Sequence, residues 1–255
     1  MQTGAITSYI DVAQLVLYAF WIFFAGLIIY LHRENKREGY PLFSSRRNDQ
    51  VKVQGFPAIP EPKTYKLAHG GGEVQKPAAA DPQIPFAAVQ TKGGFGSPYV
   101  PTGDPMVDAV GPAAYALRAD VPDLTYEGTP KLVPLRVATD HALEARDPDP
   151  RGKPVWGADG KVGGTVRDLW VDRSEALIRY LEVEVEGDRR VLLPLNLARI
   201  GFDGVRVKSV LAHHFAKAPG LRNPDLVTRR EEDRVSAYFA SGHLYATPER
   251  SEPLI

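Results

Sequence analysis

Two acids set three apart, Asp172 and Glu175 in "WVDRSEALIR", with Arg179 beyond them, form the pattern in this chain closest to chemistry. Ionisable groups can pass protons when they stand at hydrogen-bonding reach and when burial moves carboxylate pKa values toward neutrality. The run "DRSE" between two apolar stretches is also what a solvated turn looks like, and residue types alone favour the turn.

Other candidates carry less. His213 and His214 adjoin the end of a strand pattern in "VLAHHFAKA". Adjacent histidines on a helix point in different directions, so joint metal ligation is disfavoured and a packing or surface role is expected. "RDPDPRG" holds two acids, but prolines interleave them without the spacing of a Ca²⁺ loop. "HGGGEV" follows no clear strand and opens no helix, so it is a poor phosphate loop. "GGTV" lies within a strand pattern and is no dinucleotide fingerprint. The six histidines form no zincin motif, and no serine sits in a nucleophile elbow. With no cysteine, disulfides and thiolate metal sites are excluded. No catalytic site of its own is expected.

The elements that must position these residues are mainly strands. Asp159-Gly160, Gly187-Asp188 and Asp203-Gly204 each separate two strand-like runs, and each dipeptide suits the positive φ of a tight hairpin turn. The pattern predicts an antiparallel meander or small barrel. Val205 and Val207 alternate with Arg206 and Lys208, and Leu181, Val183 and Val185 with Glu182 and Glu184. Ile178 and Tyr180 fall out of that phase, which predicts a bulge near Tyr180. "TRREEDRVSAYFASG" reads as a helix over about 229–241, with a Thr228/Glu231 capping box, a buried face of Val235, Tyr238 and Phe239, and Gly242 as its stop.

Upstream, Val12 to Leu31 holds no charge, and Gln14 is its only strongly polar side chain. Twenty residues at ~1.5 Å each reach ~30 Å, the thickness of a bilayer core. The run is too long for a signal peptide and has no basic residue before it. Arg33, Lys36, Arg37, Arg46, Arg47 and Lys52 follow it, which predicts residues 1–11 outside and the rest in the cytoplasm. "RENKREGYPL" then mixes signs. It predicts a corner formed by Arg33, Arg37, Gly39, Tyr40 and Pro41, where Gly39 stops the helix and Pro41 extends Tyr40. Residues 41–112 hold 11 of the chain's 22 prolines yet keep recurring apolar residues, which predicts an extended stretch lying on a surface. The 31 basic and 31 acidic side chains cancel, so nucleic acid is not expected as a partner.

Several segments in one order resemble a known family. "ENKREGYPL", "PKTYKLAHG", "PTGDPM", "VGPAAYALRADVPDL", "GGTVRDLWVDRSEALIRYLEVEV" and "EEDRVSAYFASGHLYA" are similar to the H subunit of the photosynthetic reaction centre of purple bacteria. The β-rich part also resembles a PRC-barrel, a module that by itself says little of function. The resemblance implies one transmembrane helix (12–31), a helix extension and membrane-surface segment (32–105), and a cytoplasmic domain (106–255) with a PRC-barrel core at about 131–210. It implies a non-catalytic subunit of the bacterial inner or chromatophore membrane. Such a subunit caps two multi-span chains, L and M, shields the quinone region and supplies part of the proton path to the secondary quinone. Bacteriochlorophyll, bacteriopheophytin, quinones, non-haem iron and carotenoid would belong to that complex, with a cytochrome subunit, an antenna ring and membrane lipids as further partners. The family's proton-path Asp, Glu and Arg fall on Asp172, Glu175 and Arg179. Its surface point of proton uptake, an Asp and two His, falls on Thr125, Glu127 and Thr129, while Asp123 keeps an acid nearby and Lys131 is retained. The alternatives are a membrane-tethered PRC-barrel adaptor and a membrane-tethered enzyme.

Overall fold

The computed structural model describes residues 4, 11–40, 42–44, 51–78, 86–91 and 97–251. The chain divides into two compact units, Met1–Gln83 and Ile84–Ile255.

In the first unit, α1 runs from Val12 to Glu34. Asp11 starts it: its carboxylate accepts the Gln14 N–H at 2.7 Å, satisfying one orphan donor of the first turn. The Gln14 amide donates to the Tyr18 hydroxyl at 2.8 Å, so the polar side chain finds its partner on the same helix. Leu15, Val16, Trp21, Ile22 and Phe23 are exposed and no residue of α1 is buried within the chain. A bare apolar cylinder of this length is stable in lipid, not in water, and the helix is long and apolar enough to cross a membrane. A single 3₁₀ turn, Asn35–Arg37, ends it, and Gly39 follows at φ +72°, a conformation that glycine adopts without strain. Beyond lie two short hairpins, β1 (Leu42–Ser44) with β2 (Val51–Val53) and β3 (Lys63–Lys66) with β4 (Glu73–Lys76). Residues 67–72 connect the second hairpin, closed by the Leu67 N–H on the Gly72 carbonyl at 2.9 Å; "HGGGEV", expected to follow no clear strand, lies just after β3 and its Glu73 and Val74 open β4.

The second unit opens with the hairpin of β5 (Ala88–Gln90) and β6 (Tyr99–Pro101), where the Phe86 and Tyr99 rings meet edge to face at 5.3 Å. Its main sheet has seven strands: β7 (Leu132–Pro134), β8 (Pro154–Trp156), β9 (Val162–Asp172), β10 (Leu177–Val185), β11 (Arg189–Pro194), β12 (Ala198–Ile200) and β13 (Val205–Val207). The order is β11-β10-β9-β8-β13-β12, with β7 also on β9. The three Asp-Gly or Gly-Asp turns sit where predicted, with Gly160 at φ +71°, Gly187 at +79° and Asp188 at +55°. The bulge appears as well: the register shifts between Ile178 and Tyr180, leaving Arg179 without an opposite residue. A second shift, between Glu182 and Val183, does the same for Arg167.

Two features depart from the predicted antiparallel barrel. β13 pairs with β8 in parallel, and the sheet is not closed. The end strands β11 and β12 follow one another through a 3₁₀ turn at Leu195–Leu197 and do not pair. Strands of three residues, such as β8, β12 and β13, offer too few ladder bonds to carry the stagger that closure demands.

The core gathers Val133, Val155, Leu169, Trp170, Leu181, Val183, Leu193 and Phe215, all essentially inaccessible. β9 is buried on both faces from Asp168 to Asp172, so neither side of this strand is a solvent face. Helix α2 (Arg229–Tyr245) lies on the sheet, presenting the predicted Val235, Tyr238 and Phe239. Its capping box forms as read: Thr228 accepts the Glu231 N–H and Glu231 accepts the Thr228 N–H. Gly242, expected to stop the helix, lies inside it, and the helix runs on to Tyr245. The reason is steric, because a Cβ at Gly242 would stand 2.3 Å from the Ser209 carbonyl oxygen. Gly242→Ala would help an isolated helix. Here it is expected to lower stability by about 1–3 kcal/mol. Denaturant unfolding of the detergent-solubilised chain measures this; unchanged or increased stability would refute the close contact.

Candidate functional site

Asp172 ends β9 at a junction of three strands: it stands opposite Leu132 of β7 and Leu177 of β10. Its residue is 3% exposed. One carboxylate oxygen, Oδ1, accepts the N–H groups of Ser174 at 3.0 Å and Glu175 at 3.2 Å, shaping the "DRSE" turn. The other, Oδ2, faces Lys131 Nζ at 3.3 Å and Arg179 Nη1 at 3.7 Å. Lys131 Nζ also lies 3.9 Å from Glu175 Oε1, whose side chain is 53% exposed. The structure therefore brings four of the expected residues together, graded from solvent-facing Glu175 through Lys131 to enclosed Asp172. Two cations offset the cost of enclosing this carboxylate, which would otherwise amount to several kcal/mol.

Lys131 is held by its backbone. Its N–H donates to the Asp123 carbonyl at 2.8 Å, and its carbonyl accepts the Arg173 N–H at 2.9 Å. Asp123 thus joins the cluster through its main chain, while its side chain is exposed. Glu127 is exposed on a turn closed by Gly128 N–H to Thr125 at 3.0 Å and by the Thr125 and Thr129 hydroxyls at 2.9 Å. Among the described residues, Glu127 makes none of the cluster's ion pairs.

Glu232 completes the neighbourhood and was not legible beforehand. Its Oε2 accepts from the Tyr180 hydroxyl at 3.2 Å. Burial pushes its carboxyl above the ordinary value, against the lowering effects of Tyr180 and Arg179, and Asp123 adds to the rise. Burial likewise pushes the Tyr180 phenol up to about 12. In sequence Glu232 is one acid of "EEDR" in a helix's first turn, a position where solvated acids are common.

A second charged group is internal. Glu182, which alternates with apolar residues in β10, is 2% exposed. It accepts from Arg136 Nη1 at 2.7 Å, Arg190 Nη1 at 2.9 Å and the Trp170 indole at 2.9 Å, and Arg136 also reaches Asp168 at 3.0 Å. The period-two pattern hid this, because an acid on a strand's second face looks solvated until its partners are known.

At the predicted corner, Arg33 is exposed and Pro41 lies outside the described residues. Arg37 is enclosed: it forks onto Glu34 at 2.9 and 3.0 Å and donates to the carbonyls of Glu61 at 2.6 Å and Lys76 at 3.1 Å. Its neighbour Lys36, by sequence one of several basic residues after the span, is 3% exposed and donates to the carbonyls of Gln54 at 2.8 Å and Pro57 at 2.6 Å. Lys36 also lies 5.2 Å from the centre of the Tyr40 ring. These side chains fasten the irregular segment that follows α1.

His213 and His214 do not diverge as expected; their rings lie 4.0 Å apart. They sit in a 3₁₀ helix, Ala212–Lys217, where His214 Nδ1 accepts the Leu211 N–H at 3.1 Å. Burial and the neighbouring His213 press the His214 pKa down to about 4. Among the described residues no group of three or more His, Asp or Glu is arranged to hold a metal.

Two family models match the chain. That of the photosynthetic reaction centre H-chain N-terminal region covers residues 4–137, just over half of the 255. That of the PRC-barrel domain covers residues 143–213.

The raised carboxyl of Glu232 makes stability depend on pH with a definite sign. The folded chain holds this proton more tightly than the unfolded one, so stability falls as pH rises from the ordinary carboxylate value through the raised one. Glu232→Gln removes that loss and keeps an acceptor for Tyr180. The variant is expected to gain stability over the parent at pH 8 and to lose the advantage at pH 4. Denaturant titrations at the two pH values check this; a constant difference would refute it.

Proposed function

We propose that this chain, which belongs to the photosynthetic reaction centre H-chain family, caps the cytoplasmic face of the subunits that bind the pigments and quinones. In this reading α1 anchors it with the N-terminus outside, and the β domain stabilises the complex and shields the quinone region from water. Part of the proton path to the secondary quinone then runs through the Asp172 cluster. The absence of lysine and arginine from residues 1–11, against their abundance after Leu31, supports the orientation. The pigments, quinones and iron belong to the partner subunits, and the secondary quinone takes up protons as it is reduced.

The observation that carries the relay is the gradient from Glu175 to Asp172 across one ammonium. Glu175 is open enough to take a proton from water. Lys131 lies within 3.9 Å of Glu175 and 3.3 Å of Asp172, so it draws both carboxylates toward a common point. Asp172 can accept at Oδ2, the oxygen not used by the turn's N–H groups. Arg179 offsets the charge left there when the proton moves on. Glu232, raised by burial, supplies a second carboxyl on the same side, and a group whose pKa is closer to the working pH exchanges protons more readily. Asp123 and Glu127, both exposed, are positioned to collect protons at the surface.

Three measurements test this. The gently solubilised chain is expected to co-purify with stoichiometric bacteriochlorophyll and bacteriopheophytin bands; a colourless chain would remove the assignment to a cap. In that complex, Glu175→Gln and Asp172→Asn are expected to slow the proton-coupled second electron transfer by on the order of tenfold or more, with the first transfer nearly unchanged. An unaltered second transfer in both variants would take the cluster off the path. Thr125, Glu127 and Thr129 offer no histidine, so Zn²⁺ is expected to inhibit flash-induced proton uptake weakly. Strong, saturable inhibition would place the uptake point elsewhere.

A further inference from the structure

A cavity of about 840 Å³ opens in the β domain directly beside the relay turn. Its walls are apolar: Leu169 and Leu181 from the long strands, Leu195 and Ile200 from the open edge of the sheet, and Leu143 from the irregular segment before β8. Its volume lies in the range of binding pockets, and such a lining is what an apolar ligand needs. Leu177, 41% exposed, stands at it between Glu175 and Arg179, so the cavity and the cluster share one stretch of chain. The charges that line it are of one sign. Asp140, Glu144 and Asp147 are exposed acids, joined by His141, and among the described residues no lysine or arginine lines it, although Glu144 and Asp147 also line an adjoining cavity with four arginines. Three acids at the mouth repel an anionic headgroup and attract a basic one.

We propose that this cavity seats an apolar segment flanked by lysine or arginine, contributed by one of the pigment-binding subunits. The inference rests on the capping role. The end of the cluster that hands protons on, Asp172 with Arg179, must face those subunits, and the cavity, lined by Leu177 and Ile178 next to Arg179, then lies on that side too. The apolar side chains fill the opening that the unclosed sheet leaves, and the basic flanks pair with the acidic rim.

The test uses the intact complex. A photoreactive benzoyl-phenylalanine is placed at Leu143 and, separately, at Leu177, and cross-linked peptides from the illuminated complex are identified by mass. Cross-links from both sites to one basic-flanked apolar stretch of a pigment-binding subunit are expected. Cross-links only to lipid, to a second copy of this chain, or within the chain itself would overturn the proposal. A second variant reverses the rim, Asp140→Lys with Glu144→Lys and Asp147→Lys, and rebinding to complex stripped of this chain is measured. Affinity is expected to fall about tenfold or more; unchanged rebinding would overturn the proposal. Failure of the unsubstituted chain to co-purify with pigment would instead defeat the capping role. Normal co-purification with cross-links elsewhere defeats the seating of the segment alone.

Discussion

An acid almost withdrawn from water at the meeting point of three strands must be compensated, and much of the β domain is arranged around that demand. Asp172 meets it with two backbone donors from its own turn and two cations from neighbouring chain. The donors tighten the β9–β10 connection. Lys131 brings the start of β7 against the end of β9, and its backbone ties in Asp123 and Arg173. Removing one partner of a buried charge costs more than the pair contributes, because the remaining charge is left unpaired. That asymmetry ties the local fold to the cluster, and it keeps ionisable groups at working distance where simple stability would favour apolar ones.

The same solution appears elsewhere in the chain. Glu182 is enclosed by Arg136, Arg190 and the Trp170 indole. In the first unit, Lys36 and Arg37 donate hydrogen bonds to backbone carbonyls of a segment too rich in proline to satisfy those carbonyls by itself. Each arrangement replaces missing regular structure with charge-assisted hydrogen bonds, which are stronger than neutral ones. A domain with an unclosed sheet, and a segment whose described strands are three or four residues long, both need such fasteners.

Local rules made much of this legible. Hairpin turns, the capping box, the buried face of α2 and the apolar span follow from residue types a few positions apart. What stayed hidden depends on distant partners. Glu232 reads as a helix-start acid until Tyr180 arrives beside it, and Glu182 reads as solvated until Arg136 does. Lys36 reads as one charge among several, because nothing nearby in sequence announces the carbonyls of Gln54 and Pro57. Gly242 reads as a stop, and only the approach of Ser209 shows why glycine is needed mid-helix. The open edge of the sheet was also invisible, since strand count is easier to read than the stagger that closure requires.

The bulge at Arg179 links the fold to the site most directly. In an unbroken ladder, Arg179 and Tyr180 would point to opposite faces of β10. The extra residue breaks that alternation. Arg179 can then reach Asp172 while Tyr180, opposite Trp170, reaches Glu232. Arg179 in turn lies close enough to Glu232 to oppose the rise in its pKa. One inserted residue thus places a cation and a phenol on the side of two carboxyl groups. The signal was present as a phase error, Ile178 and Tyr180 against Leu181 and Val183, a defect if regular sheet is the standard. PRC-barrel resemblance describes the sheet. The irregularity in it gathers Asp172, Arg179, Tyr180 and Glu232, and the proton route proposed for this chain starts from that defect and not from the fold that carries it.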